Sequence, residues 1–323
     1  MGSITRKVNL IYLTKFFLNQ GFRFKVLPGV LEAISFFFRQ RGFDKVTSFN
    51  CSNKPLKNRR LLDIITVIYN REDLIHDQVQ LLHKNLLDPF SYTVVDNSQI
   101  EEKHRLIKKV CQKERVGYIR LPRNPFNTSF FPQGSLSHGL ALNWSYFNYL
   151  RPRDAKFIGI IDQDIFLVKP SSLISILNEH PLYGRILRIG NTRATDFVKE
   201  GDAVKKYIWY LWPGLFFANN NFLRGKSLNF YPGKIRGIHV DTGSMNWHAL
   251  YSKMKKEEIQ PTRHKFIVIG KKDPNKVTDL SDFKSNHVVE YLDNWLHMIA
   301  STWEKGIGKE KQEFFRELLN KSK

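Results

Sequence analysis

The chain has 323 residues, 42% of them hydrophobic, enough to bury a large core; this excludes a disordered protein and suits one large α/β domain with an appendage. Its formal net charge of +21 is unevenly spread: residues 1–60 hold twelve Lys or Arg against Glu32 and Asp44, a net +10 on under a fifth of the chain. Cys51 and Cys111 lie far apart without a Cys-x-x-Cys, which excludes a disulfide scaffold or a cysteine zinc site and points to a reducing compartment.

The basic amino-terminal stretch, residues 1–60, reads as an amphipathic helical extension. Leu27, Val30, Leu31, Ile34, Phe37 and Phe38 follow i, i+3, i+4, i+7 spacing, with Pro28 suited to a first turn and Gly42 to a stop. A weaker apolar segment, Leu10 to Leu18, is interrupted by Lys15 and closed by Gly21. Neither reaches the ~20 uninterrupted apolar residues that span a bilayer. The expectation is a cytoplasmic protein with no signal peptide or transmembrane helix, so the sequons at Asn50, Asn127 and Asn143 carry little weight. A basic, Phe-rich amphipathic stretch can lie on the anionic inner face of a membrane, each Lys or Arg adding about 1 kcal/mol, or it can pack its apolar face on the rest of the chain. Nucleic acid is the poorer partner, because no base-reading motif is present and the charge is not confined to one helix.

After a polar linker, Asn50–Arg60, the pattern becomes regular. Leu61–Tyr69 is a β-branched strand, Asp73 is placed to cap a helix over Leu74–Leu87, and Tyr92–Val95 is a short strand ending in Asp96-Asn97-Ser98. A helix over Glu101–Lys113, a strand at Val116–Leu121, a Pro/Asn/Gly-rich loop at Pro122–Gly134 and a helix over Ser135–Leu150 follow. Strand alternating with helix predicts a parallel, right-handed α/β half-domain. Beyond Pro170 the expected elements are a helix at Ser171–Glu179, strands at Gly184–Ile189 and Leu215–Phe217 separated by a polar stretch with the aromatic insertion Tyr207–Trp212, a helix-like Ser244–Lys255, a strand at Phe266–Gly270, and helices at Val288–Trp303 and Lys309–Leu319. The tail, 304–323, carries both signs of charge and reads as a solvated helix.

The segment Lys156–Pro170 carries the chemistry. An apolar run stops at Asp162 and Asp164, one residue apart. Alternate side chains of a strand share a face, so both carboxylates can enter one site and hold a divalent cation through hard oxygen ligands, a phosphate-handling arrangement. Asp-x-Asp is also a common solvated loop cap; what favours the metal reading is a buried parallel strand, at whose carboxyl end ligands bind.

Taken in order, Val67–Arg71 at the end of the first strand, Asp96 at the end of the second, His138-Gly139 and Asn143 on the helix leading in, and Ile161–Asp164 resemble the GT-A fold of nucleotide-diphospho-sugar transferases, within them glycosyltransferase family 2. The resemblance runs from Leu61 to about Trp247, and more weakly to Trp295, which sets the expected domain at 61–303. It implies a mostly parallel central sheet flanked by helices, with Thr66, Tyr69, Asn70, Arg71, Asp96, His138 and Asp162 around the donor nucleotide. It implies Mn²⁺ or Mg²⁺ on Asp164 and Asp162, completed by a late histidine, His287 or His239. The expected reaction moves a sugar, with inversion, from a UDP- or GDP-sugar to a glycan or lipid-linked acceptor, as in polysaccharide synthesis. Asp241 is then the general base or else only a helix N-cap, and Trp212 and Trp247 are acceptor platforms, Trp212-Pro-Gly beside Asn219-Asn220-Asn221 being the most site-like. A nucleotidyltransferase acting on sugar phosphates is the runner-up, although the first strand lacks a Gly-rich, Lys/Arg-bearing phosphate loop. A non-enzymatic basic module that binds membrane or nucleic acid is the third reading.

Overall fold

The computed structural model describes residues 49–50, 62–121, 134–153, 155–189, 208–235, 238–269, 288–299 and 309–323. The helices expected between residues 1 and 48, and the loop 122–133, lie outside them. In chain order the elements are β1 (Phe49–Asn50), β2 (Leu62–Ile68), α1 (Ile75–Asn85), β3 (Phe90–Asp96), α2 (Glu101–Glu114), β4 (Gly117–Arg120), α3 (Gly134–Ser145), β5 (Phe157–Asp162), β6 (Ile165–Leu167) and α4 (Leu173–Glu179). There follow β7 (Leu182–Ile189), β8 (Ile208–Asn219), β9 (Gly233–Ile235), β10 (Ile238–Val240), β11 (Ile259–Pro261), β12 (His264–Val268), β13 (Val288–Leu292), β14 (Trp295–His297) and α5 (Lys309–Ser322).

An α/β architecture with a mostly parallel central sheet results, as expected. Eight strands run in the order β1-β4-β3-β2-β5-β8-β7-β11. β4, β3, β2 and β5 are mutually parallel, β8 is antiparallel to both β5 and β7, and β11 returns parallel to β7. The parallel strands are mostly apolar because both faces are covered. On β2, Leu62, Ile64 and Ile68 pack with Ile75, Val79 and Leu82 of α1 and Ile107 of α2, while Ile65 and Val67 face Leu136 and Leu140 of α3. Gly159 lets β5 lie against β8: a Cβ there would stand 2.4 Å from the Phe217 ring of the paired strand.

A second sheet, β12-β13-β14-β6, is antiparallel and shares the chain's turn after β5. It replaces the helix expected over Val288–Trp303. Asp293, at φ 51°, and Asn294 form a two-residue hairpin turn, so Leu292 pairs with Trp295 and Glu290 with His297. The aromatic stretch before Leu215 is no insertion but the first half of β8, in which Ile208, Trp209, Tyr210 and Leu211 are all buried. The helix expected over Ser244–Lys255 is reduced to Asn246–Ala249 and a turn at Tyr251–Lys253. Asp73 does not cap: a 3-10 turn, Glu72–Leu74, precedes α1, and the carboxylate pairs with Arg71 Nε at 2.8 Å.

The carboxyl-terminal helix forms, yet only one of its faces is solvated. Phe315 and Leu319 pack with Leu74, Leu81, Phe166, Val168, Leu296 and Met298, which fastens α5 to the second sheet and α1. Lys311 is buried with them, its Nζ donating to Ile299 O at 2.7 Å. Among the described residues no helix is long and apolar enough to cross a membrane.

Candidate functional site

The carboxyl ends of β2, β3 and β5 are brought level by register, Ile68 lying opposite Asp96 and Val67 opposite Asp162. Backbone donors that the strands leave unpaired there are taken up by neighbouring strand ends. Tyr69 N donates to Gln163 Oε1 at 2.9 Å, Asn70 N to Ser98 Oγ at 2.8 Å, and Asn97 N to Ile68 O at 2.8 Å. Asn70 sits at φ 56°, a left-handed conformation that asparagine tolerates, and turns the chain into Arg71. Thr66 is buried inside β2, two residues short of this rim. Asp96 is fully buried: its Oδ1 accepts from Ser98 N at 2.9 Å, and its Oδ2 meets Tyr118 OH at 2.9 Å and His104 Nδ1 at 2.6 Å. Burial and the Asp96 charge push the Tyr118 phenol far up, so it stays a donor, and Asp96 fastens the end of β3.

Asp162 ends β5, and Asp164 lies in the turn that leads to β6, so the two carboxylates meet across a strand-to-turn corner rather than along one strand face. His138, on the first turns of α3, brings Nε2 to 3.3 Å from Asp162 Oδ1. Burial pushes the Asp162 carboxyl above its ordinary value; His138 and His297 oppose that shift, and the charges of Asp164 and Asp241 add to it. Asp241 thus acts on the same site from the far end of the β9–β10 ribbon.

The hairpin delivers the residue that the sequence reading missed. β14 pairs with β6 so that His297 lies opposite Ile165, and His297 Nε2 comes 3.6 Å from Asp164 Oδ2. Its Nδ1 is 2.6 Å from Glu290 Oε1, which also accepts from Arg185 Nη1 at 2.6 Å. Although burial opposes its charge, Asp164 and Glu290 raise His297 to about 9, and Arg185, His264 and His297 hold the fully buried Glu290 well below the usual carboxylate range against the same penalty. The Trp212 ring lies 4.9 Å from the His297 ring, centroid to centroid, with the Arg185 guanidinium 5.1 Å from the Trp212 centroid. A hairpin reading of Asp293-Asn294 would have placed Glu290 across from His297.

Of the two late histidines that the resemblance suggested, His287 lies outside the described residues, and His239 is on β10. Among the described residues no three His, Cys, Asp or Glu side chains form a cluster able to hold a metal by themselves. Asp164 and His297 form a pair: one carboxylate, and one imidazole whose far nitrogen is engaged by a carboxylate, the arrangement that protein metal sites use to orient a ligating histidine. The donor set fits a divalent cation that keeps water or ligand oxygens in its remaining positions.

Asp241 is exposed, and its Oδ1 accepts from Thr242 N at 2.7 Å. The N-cap alternative is not realised, since the short helix begins after Met245 without a side-chain cap. The segment is tied to α3: Thr242 Oγ1 donates to Ser135 O at 2.9 Å, Gly243 N to Phe230 O at 2.9 Å, and Phe230 N to Asn143 Oδ1 at 3.0 Å. Asn143 is therefore a buried brace and not an accessible sequon. Trp212 is half-buried against His297, and Trp247 is half-buried edge-on to Trp209, centroids 6.0 Å apart. Asn219 pairs with Phe157, at the opposite end of β5 from Asp162, so the Asn219–Asn221 triplet is not part of this site. Asp196, Glu200 and Asp202 lie outside the described residues.

No protein-family model matches the chain, and no curated protein does. It is similar to the solved structure of TarS from S. aureus at 18% identity and a TM-score of 0.35, over 52% of this chain and 30% of that one. It is also similar to the mannosyltransferase PcManGT from Pyrobaculum calidifontis, solved with GDP-Man and Mn²⁺, at 12% identity and a TM-score of 0.34, over 68% and 57% of the two chains. The galactosyltransferase LgtC, solved with donor and acceptor sugar analogs, shows 16% identity and a TM-score of 0.34, over 51% and 60%. The chain thus spans from under a third to about three fifths of these proteins, and likeness at this level transfers no residue role from them.

Proposed function

We propose that the chain is a GT-A-type, metal-dependent glycosyltransferase that moves a sugar from a UDP- or GDP-sugar to a glycan or lipid-linked acceptor with inversion. The observation that carries this reading is the meeting of Asp164 and His297, 3.6 Å apart, beside Asp162 at the carboxyl end of a parallel sheet. Asp164 and His297 would hold Mn²⁺ or Mg²⁺, with Asp162 acting through water or the ribose; the ion when bound neutralises the charge that develops on a diphosphate leaving group. The rim Tyr69-Asn70-Arg71 receives the base and ribose, backed by Thr66 and by Asp96 at the neighbouring strand end. His138 orients Asp162 toward the ribose through their 3.3 Å contact. Asp241 takes the proton of the acceptor hydroxyl; its exposure and its charge acting on Asp162 support that role. Trp212 and Trp247 flank the acceptor side. The net +10 of residues 1–60 supports peripheral contact with an anionic membrane surface.

The test is thermal unfolding of the full chain with UDP, GDP and nucleoside triphosphates, each with and without Mn²⁺. A nucleoside diphosphate should stabilise only when metal is present, by about 2.7 kcal/mol at a hundredfold excess over Kd. Asp164→Asn, which keeps the shape and removes the charge, should abolish that metal dependence and lower transfer by orders of magnitude with the fold intact. Stabilisation that ignores both metal and Asp164 would overturn the proposal, and stabilisation by triphosphates alone would favour the nucleotidyltransferase.

A further inference from the structure

Behind the Asp164–His297 pair lies a closed ring of contacts. Arg185 from β7 donates to Glu290 from β13; Glu290 takes His297 Nδ1 from β14; His297 packs, tilted by 38°, against Trp212 from β8; and the Arg185 guanidinium lies over the same Trp212. The ring joins the central sheet to the second sheet, because β7 and β8 belong to the first and β13 and β14 to the second. Glu290 is 0% exposed, His297 5% and Arg185 8%, so a carboxylate has been placed where it cannot meet bulk water. An isolated buried charge is strongly unfavourable, and an apolar residue in the middle of β13 would pack at less cost. Packing alone therefore gives no reason for the acid.

The geometry supplies one. Once a cation takes the place of one ring proton, the imidazole offers it a lone pair at only one nitrogen, and which one is decided by the partner of the other. With Nδ1 donating to Glu290 Oε1 at 2.6 Å, Nε2 is the nitrogen left facing Asp164. The tilted contact with Trp212 restrains the ring, and His264 Nδ1, 3.7 Å from Glu290 Oε2, flanks the other carboxylate oxygen.

We propose that Glu290 is a positioning residue, which fixes the His297 ring with Nε2 directed at the cation position beside Asp164, and that Arg185 is its charge partner, linking the metal site to the central sheet. The inference rests on the metal-dependent reading above. It predicts that Glu290, which touches neither substrate nor metal, controls metal affinity. An unsupported ligand should bind the cation about 10- to 100-fold more weakly.

The experiment titrates Mn²⁺ alone into the full chain, with free Mn²⁺ followed by electron paramagnetic resonance, and needs no turnover. Glu290→Ala should weaken Mn²⁺ binding 10- to 100-fold, and Glu290→Gln, which keeps an acceptor for Nδ1–H, should recover part of the loss. Because Glu290→Ala removes the buried carboxylate partner of Arg185 and could unfold the chain, the double variant Arg185→Met/Glu290→Met removes both charges together and retains bulk; its Mn²⁺ affinity should be as low as that of Glu290→Ala. Parental Mn²⁺ affinity in the folded double variant overturns this inference alone and leaves the transferase reading standing. A parental protein that binds no Mn²⁺ overturns both.

Discussion

A side chain that takes a proton from an acceptor must stay ionised and within reach of a ligand that arrives from solvent. Among the three carboxylates that act on one another at the site, Asp164 is buried and Asp162 is half-buried, while Asp241 is exposed. Its backbone surroundings do not depend on the charge: Thr242 N needs only an oxygen, and Thr242 Oγ1 and Gly243 N are fixed by Ser135 O and Phe230 O. Asp241→Asn should therefore leave the melting temperature and metal-dependent nucleotide binding unchanged, and lower transfer by about 10²-fold or more. Steady-state transfer rates, with the anomeric configuration of the product read by NMR, check this. An asparagine variant that transfers at the parental rate, or a product that retains configuration, would show that Asp241 is not an inverting base.

At the scale of elements, legibility followed burial geometry. β2, β3 and β5 were readable because parallel strands covered on both faces become runs dominated by apolar and β-branched residues and bounded by polar turns, and their carboxyl ends led straight to Asp96 and Asp162. The β13–β14 hairpin was not. Val288, Leu292, Trp295 and Ile299 fall at helical spacing, yet the first three lie on two short strands, and only the Asp293-Asn294 turn separates the readings. Misplacing that turn hid Glu290 and His297, half of the proposed metal site. The helix α5 was legible from its own spacing, but its docking was not, because its partners Leu74, Leu81, Phe166 and Val168 lie more than 140 residues away. Docking also buries Lys311, and burial pushes its ammonium down to about 8 although Asp164 pulls the other way. Between about 8 and the ordinary lysine value the folded chain thus binds fewer protons than the unfolded one, so this group makes stability rise with pH across that window. Urea unfolding of the parental chain and of Lys311→Met, in metal-free buffer at pH 7.5 and 9.5, should show the parental chain gaining on the variant at the higher pH; a gap that stays constant or moves the other way contradicts the burial of the charge.

For the whole molecule, the net charge of +21 is unevenly spread along the sequence: residues 1–60 carry +10. A cationic, Phe-bearing segment in the chain of the proposed transferase suits an acceptor presented at an anionic lipid surface, where local attraction raises the encounter rate. Each Lys or Arg at such a surface contributes about 1 kcal/mol, so replacing Arg6, Lys7, Lys15, Arg23 and Lys25 by Gln should weaken binding of the full chain to phosphatidylserine-containing vesicles at least about a hundredfold. Raising salt from about 0.1 M to about 1 M shortens the screening length from about 10 Å to about 3 Å and should release the parental protein in the same way. Neutral phosphatidylcholine vesicles should retain neither form. Metal-dependent stabilisation by the nucleoside diphosphate should survive the five substitutions, since no rim residue is altered, which separates a surface anchor from a general loss of fold. Equal retention of parental and substituted chains on anionic vesicles, or binding that ignores salt, would leave the basic segment as a packing element and place the acceptor away from the membrane.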